Sequence, residues 1–497
     1  MTHFLGVDVG TYESKGVLVD AEGRIVATAT RAHELIVPHA GWAEHRPEQD
    51  WWDEVVSIIR ELLASSRVPA ADVKAVGCSA IGPCMLPVDA NGAPLGNAVL
   101  YGVDTRATRE VEELNDSIGE ATLMQRCGAG LTSQSVGPKI LWLRRNRPEV
   151  FARTWRVMTS QTFLVYRLTG EVVIDRYTGG NFGPFYDAAT QAWTADFAAD
   201  IADPAVLPEL RWGDEIAGTV TAWAAAQTGL APGTPVIVGT VDAAAEALSV
   251  GVLDAGDMMV MYGSTMFMIL LTAQIARDAR LWYAPWMLRG LHASAAGLAT
   301  SGTLTHWFRD QLARDLDPAT AFATLAAEAA TSPPGARGLI ALPYFSGERT
   351  PHNNPRARGC FFGLDLTHTR ADLYRAVLEG MACAATQVFE TYADAAMPMR
   401  RLVAVGGGTR NALWLQAVSD ISGLPQLLPT HTVGACYGDA FLAAHATGHV
   451  GLREIAAWNP IARIVEPNAA DGPANARTLA AFKALYGQTA GLMKTLF

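Results

Sequence analysis

Phe4-Leu5-Gly6-Val7-Asp8-Val9-Gly10-Thr11-Tyr12-Glu13-Ser14-Lys15-Gly16-Val17-Leu18-Val19-Asp20 is the stretch from which the rest of the chain is read. The apolar run Phe4 to Val7 reads as a buried strand that ends on Asp8. Gly10 permits a tight turn, and Thr11 with Ser14 offers amides and hydroxyls to an anion. Gly16 to Val19 returns as a second strand, and Ala21-Glu22-Gly23 turns it into a third, Ile25 to Ala29. The pattern predicts a hairpin whose tip holds a carboxylate, small donors and one cation, Lys15. A carboxylate beside a phosphate would repel it, so a metal ion between the two is the natural complement. Taken alone, Asp-x-Gly-Thr at a strand end is more often an ordinary turn, and the remainder of the chain has to decide.

The same pattern recurs in the second half. Met258 to Met261 reads as an apolar strand, Tyr262-Gly263-Ser264-Thr265 as a small-residue tip, and Met266 to Leu271 as the return strand. The likeness is one of pattern, since the two segments share little identity. Two such halves facing each other would pinch a polyphosphate between their tips. Gly251 to Asp257 breaks the intervening helical pattern, which places a boundary near residue 250 and predicts domains at 1–250 and 251–497.

Composition bounds the function. The 497 residues are half apolar and 18% charged, enough for two or three domains with large cores. A net charge of −11 with no long basic run argues against nucleic acid as a partner. The longest apolar stretch, Met258 to Ala273, is interrupted by Gly263-Ser264-Thr265, so no membrane span is expected. Asp8 and Glu13 stand where a signal peptide needs its apolar segment, and six cysteines lack metal spacing. A cytoplasmic protein is the expectation.

Val236 to Gly239 reads as a buried strand delivering Thr240-Val241-Asp242 to an Ala-rich helix. Asp242 has two readings: a base that accepts a hydroxyl proton during phosphoryl transfer, or the cap of the helix that follows it. Leu402 to Val405 runs into Gly406-Gly407-Gly408-Thr409-Arg410-Asn411 and then a helix, Ala412 to Ser422. Strand, glycines and helix start make a nucleotide cradle, though not the dinucleotide fingerprint or a Walker loop. Pro47 opens a helix carrying Trp52, Val55, Ile59 and Leu62, with Trp52 read as core. Gly302-Thr303 leads into a helix with His306 and Trp307. Thr369 and Asp372 can cap a long helix to about Tyr392, and Tyr177 to Tyr186 reads as an irregular loop near a site.

As a set, these pieces resemble the FGGY carbohydrate kinases, of the actin, sugar-kinase and chaperone ATPase superfamily. The resemblance spans nearly the whole chain in order: Asp8-Val9-Gly10-Thr11 with Lys15, Gly41-Trp42-Ala43-Glu44 with Trp51-Trp52, and Asp104 with Arg106. It continues through Lys139-Ile140-Leu141-Trp142, Gly239 to Asp242, Gly263-Ser264-Thr265 and Gly347-Glu348-Arg349-Thr350-Pro351. It closes with Gly406 to Asn411. The resemblance implies an α/β protein of two actin-like (ribonuclease H-like) domains with a central inter-domain cleft. It implies ATP and Mg²⁺ as cofactors, Asp242 as catalytic base and Asp8 as the Mg²⁺ residue. Thr11, Tyr12 and Lys15 would face the terminal phosphates, and Gly263, Ser264 and Thr265 would form the second phosphate loop. Gly302, His306, Gly407, Gly408 and Asn411 match positions lining the nucleotide, with His306 equally readable as a satisfied histidine.

Ile81, Gly82, Tyr101, Asp104, Gln134 and Asp242 are expected to shape the sugar pocket. Gly41 to Trp52 and Ser79 to Asp89 look most like xylulokinases, which makes xylulose the first expectation for the small-molecule substrate. Gly82-Pro83, Gln134 and Ala243 depart from that pattern, so ribulose, another ketose or a polyol stays open. A sugar- or nucleotide-sensing protein without turnover, and a chaperone- or filament-type ATPase, are the competing classes. The oligomeric state is open, a homodimer included.

Overall fold

A computed structural model describes residues 2–275 and 277–496. Its architecture is two seven-stranded sheets with helices on their faces. In the first sheet, β1 (His3–Val9), β2 (Glu13–Asp20) and β3 (Ile25–Ala32) form an antiparallel meander. On its other side β1 pairs in parallel with β4 (Val73–Ala80). Beyond β4 lie β5 (Ile216–Thr219), β6 (Pro235–Ile237) and β7 (Thr240–Val241), the last two parallel to β4. All seven residues of β1 are buried, as a strand covered on both faces should be, which explains its unbroken apolar run.

The second sheet repeats this plan. β8 (Asp257–Tyr262), β9 (Met266–Thr272), β10 (Trp282–Pro285) and β11 (His292–Leu298) are antiparallel neighbours in the order β10-β11-β9-β8. β8 then pairs in parallel with β12 (Arg401–Val405), and β12 with β13 (Gln426–Pro429), before antiparallel β14 (Ile461–Val465) closes the edge. Each sheet thus carries a hairpin, β1–β2 or β8–β9, whose first strand is also the start of the parallel half. The pattern shared by the two halves of the sequence is a shared topology.

Four helices position the site. α1 (Glu54–Ser66) packs on β2 and β3, entered through a π-helical turn, Pro47–Asp53, rather than as one helix from Pro47. α2 (Asp242–Ser249) starts at the end of β7. α3 (Gly302–Leu312) starts beside the second hairpin tip. α4 (Ala435–Ala446) is mostly apolar, Asp439 and His445 excepted, and is buried from Ala435 to Ala444. It belongs to the second half in sequence but lies on the first sheet: a Cβ on Gly6 would meet the Cys436 carbonyl, and one on Gly77 the Asp439 carbonyl. Gly438 likewise lets α4 close on the Ala245 carbonyl of α2. One apolar cluster therefore joins Phe4, Val17 and Ala75 of the first sheet to Met259, Ile269 and Val403 of the second through Tyr437, Phe441 and Leu442. The capping box of Thr369 and Asp372 is present on the long helix Arg370–Asp394.

Candidate active site

The end of β1, the second hairpin tip and the start of α2 line a cavity of about 390 Å³ between the two lobes, and the first tip adjoins it where Thr11 meets the lining Tyr101. From the first lobe Asp8, Ile81, Gly82, Tyr101, Gln134, Asp242 and Glu246 line it; from the second, Thr265, Phe267, Trp282 and Arg349. Asp242 is the first residue of α2, and the helix's N-cap position is Val241. Its Oδ1 accepts the adjacent Ala243 amide at 2.7 Å, and its carboxylate is turned to the cleft. Burial, then the charge of Asp8, pushes the Asp242 carboxyl well above the usual carboxylate range.

Asp8 lies at the end of β1, with Lys15 opposite it in the β1–β2 register. Burial raises Asp8 to about 6, against the Ser79 hydroxyl that donates to its Oδ1 at 3.1 Å. The same hydroxyl lies 2.6 Å from Asp439 Oδ2, and Asp439 Oδ1 is buried without a partner. Glu246, one turn beyond Asp242, is raised by burial and by Asp8 to about 7. Lys15 is the nearby cation, and it is paired with Glu13 at 2.6 Å. Oxygen donors carrying mutually repelling charge, one atom of them orphaned, suit a hard divalent cation. Among the described residues no group of three or more side chains forms a metal cage by itself. An ion at Asp8 would complete its shell with water and phosphate, as Mg²⁺ commonly does.

The tips are built alike. At the first, Gly10 N–H donates to Glu13 O at 2.9 Å; at the second, Gly263 N–H donates to Thr265 O at 3.0 Å. Gly302 closes on the second tip so tightly that a Cβ there would lie 2.5 Å from Gly263 O. Gly406, with a φ of +90°, and Gly408 press against Tyr262, which brings the glycine turn beside the same tip. Gly263, Ser264, Gly302 and Gly408 are thereby gathered together, with Gly407 in the same turn. Asn411 caps the helix Ala412–Ser422, its Oδ1 accepting the Trp414 amide at 3.1 Å. His306 is exposed on α3, its ring 4.9 Å from that of Phe322.

On the sugar side, Tyr101 Oη lies 3.1 Å from Thr11 Oγ1, and Gln134 Oε1 accepts the Gly102 amide at 3.1 Å. Lys139 is buried and donates to the carbonyls of Leu100 and Tyr101, so it fixes the Tyr101 loop; burial lowers it to about 8. Asp104 does not reach the cavity. It is 1% exposed, accepts the Ala43 amide at 2.7 Å and is clasped by Arg106 Nη2 at 2.8 Å, which also pairs with Glu44. Its place in the sugar pocket is corrected to an internal ion pair that shapes the wall behind it. Glu246, Asp439 and Trp282 at the site were not singled out from sequence. Tyr177 opens the stretch read as a loop near a site, and it does line the cavity, while Arg349 was read only as part of the stretch Gly347 to Pro351.

Comparison with known proteins accounts for this geometry. The model of the FGGY family of carbohydrate kinases, N-terminal domain, matches residues 3–249, and that of its C-terminal domain matches 258–447. A xylulose kinase from Escherichia coli is 30% identical over 504 residues, covering 99% of this chain and 100% of that one. A glycerol kinase from Nocardia farcinica is also 30% identical, covering 89% and 90%. The crystal structure of a xylulose kinase from Rhodospirillum rubrum superposes with a TM-score of 0.92 at 32% identity, covering 99% of this chain and all of that one. The two lobes are therefore the actin-like halves of a sugar kinase that uses ATP. The chain belongs to the FGGY family of carbohydrate kinases.

Proposed function

We propose that the chain transfers the γ-phosphate of ATP to a ketopentose, xylulose first among the candidates, with xylulose 5-phosphate as product. The observation that supports the mechanism is that Asp242 and Asp8 line one cleft together with Thr265 of the second hairpin tip. Asp242 takes the proton of the attacking hydroxyl, and burial with the charge of Asp8 raises its affinity for protons. Thr11, Tyr12 and Lys15 at one tip, and Ser264 and Thr265 at the other, hold the phosphates. Gly302, Gly407 and Gly408 let the nucleoside lie against backbone. Mg²⁺, held through Asp8, would neutralise charge on the phosphates and on the carboxylates that now repel each other. Ile81, Gly82, Tyr101 and Gln134 hold the sugar, and closure of the lobes excludes the water that would compete with it.

The family relatives named xylulose kinase support the sugar, and the glycerol kinase relative supports a polyol as the second reading. ADP release measured across xylulose, ribulose, other ketoses and polyols decides between them. The highest kcat/KM is expected with xylulose; a preference for glycerol would replace the ketopentose, and silence on every sugar would replace the kinase. Six free cysteines and the absence, among described helices, of one long and apolar enough to cross a membrane support a cytoplasmic location. A homodimer is carried as a proposal that light scattering decides.

A further inference from the structure

The first hairpin tip is anchored more heavily than a turn requires. Three successive carbonyls are held from behind. His33 Nε2 donates to Gly10 O at 3.1 Å, His45 Nε2 to Thr11 O at 3.1 Å, and the His33 backbone amide to Tyr12 O at 2.9 Å. A peptide unit is planar and trans, so a carbonyl fixed inward aims the following N–H the opposite way. The amides of Thr11 and Tyr12 are turned outward by this constraint. Among the described residues neither donates to a protein acceptor.

The hydrogen-bond pattern also assigns the protons. An indole N–H can only donate. Trp51 Nε1 donates to His45 Nδ1 at 3.1 Å, so the proton of a neutral His45 is on Nε2, where Thr11 O accepts it. His33 faces acceptors at both ends: Gly10 O at Nε2 and the Glu54 carboxylate at Nδ1, 2.9 Å away. It satisfies both only as an imidazolium. Glu54 Oε2 also accepts the Ser14 hydroxyl at 2.6 Å, which ties α1 to the returning strand of the hairpin. The two rings meet edge to face, 4.7 Å apart.

We infer that His33 and His45 are positioning residues of the phosphate-contacting tip, holding the Gly10 and Thr11 carbonyls back so that the next two amides face the nucleotide. The inference rests on the kinase reading, because it requires a phosphate to meet this tip. One anchor is neutral and the other charged, so they respond differently to pH. Burial acts to lower His33, but the Glu54 carboxylate, the Gly10 carbonyl and Asp50 outweigh it and leave it above 6.5. Burial and the neighbouring His33 push His45 down to about 4. The other charged groups around the pair are Arg46, which is paired with Asp50, Glu34 on the same segment, and the Glu13–Lys15 pair on β2. An imidazole raised in the folded state serves both acceptors at low pH. As pH rises through its folded value one proton leaves, and the Glu54 carboxylate, the stronger acceptor, takes the remaining N–H from the Gly10 carbonyl.

The test is calorimetric titration of the full chain with ADP between pH 6 and 9, for the parent, His33→Gln and Glu54→Gln. Titration of the nucleotide's own phosphate is common to all three and cancels in their ratios. The parent is expected to lose about tenfold more affinity across the range than His33→Gln, whose amide donates at every pH. Glu54→Gln should move the parent's midpoint to lower pH, and it carries the test if His33→Gln does not fold. Superimposable profiles for the parent and the variants would overturn the inference and leave the kinase reading standing. A parent chain that binds no nucleotide at any pH would overturn both.

Discussion

Two hairpin tips face one cleft, and different chemistry holds each of them. At the second, the carbonyls of Gly263 and Ser264 accept backbone amides from Ser301, Gly302 and Thr303 at the start of α3. At the first, the carbonyls of Gly10 and Thr11 accept imidazole N–H groups from residues 23 and 34 positions further along the chain. A backbone amide neither titrates in this range nor disappears on mutation, so the second tip, where the Thr303 hydroxyl is the one added side-chain donor among the described contacts, is sensitive chiefly to shape. The first depends on side chains, and through them on pH and on the packing of α1. A shared topology fixes where a tip lies and leaves its anchoring free to differ.

Four outcomes would break or sharpen that contrast. The largest effect is expected at the second tip, from shape. Gly302→Val must push against the Gly263 carbonyl, and a backbone shift costing about 1–3 kcal/mol should weaken ADP binding roughly ten- to hundredfold. Calorimetry at several pH values should show that loss to be constant with pH. His45→Leu comes next, since it strands the Trp51 indole and the Thr11 carbonyl. Leaving such groups buried and unpaired should reduce unfolding free energy by about 1–3 kcal/mol, read as a lower denaturant midpoint.

The carboxylates of the cleft supply a third outcome. Asp8, raised to about 6, and Glu246, raised to about 7, bind more protons folded than unfolded above their ordinary values of 3.8 and 4.5. Their contribution is therefore present at low pH and lost as pH climbs through about 6 to 7. Mg²⁺ with nucleotide needs them ionised, so the two together should raise the thermal midpoint more at pH 8 than at pH 5. An equal rise at both would detach the metal from these groups. Thr303→Val should have the smallest effect, below about 1 kcal/mol. Its hydroxyl and its own amide both donate to Ser264 O, and the amide remains. A loss matching that of His45→Leu would erase the difference between the tips.

The sequence was readable where the fold is written in runs of neighbours. Phe4 to Val7 and Met258 to Met261 announced two buried strands, and their return strands and glycine tips followed from local turn chemistry. The capping box at Thr369 was equally local. What could not be read is contact made across the chain. Nothing near Asp104 says that its carboxylate turns to the Ala43 amide, 61 positions away, instead of the cleft. The Asn411 cap on Trp414, by contrast, is local, since the residue stands directly before its helix. Asp439 reaches Ser79 across 360 positions, because α4 leaves its own half to cover the first sheet. His33 carries no motif, and His45 lies within the Gly41 to Trp52 stretch without standing out from it. Their role exists only after α1 packs Glu54 and Ser14 together.

The most direct measurement compares turnover and nucleotide affinity in Asp242→Asn. If one lobe supplies the base and both tips grip the nucleotide, kcat on the preferred sugar should fall by roughly 10²–10⁴ while the Kd for ADP stays within about twofold of the parent. Near-normal turnover in that variant would contradict the account, whatever its affinity for ADP.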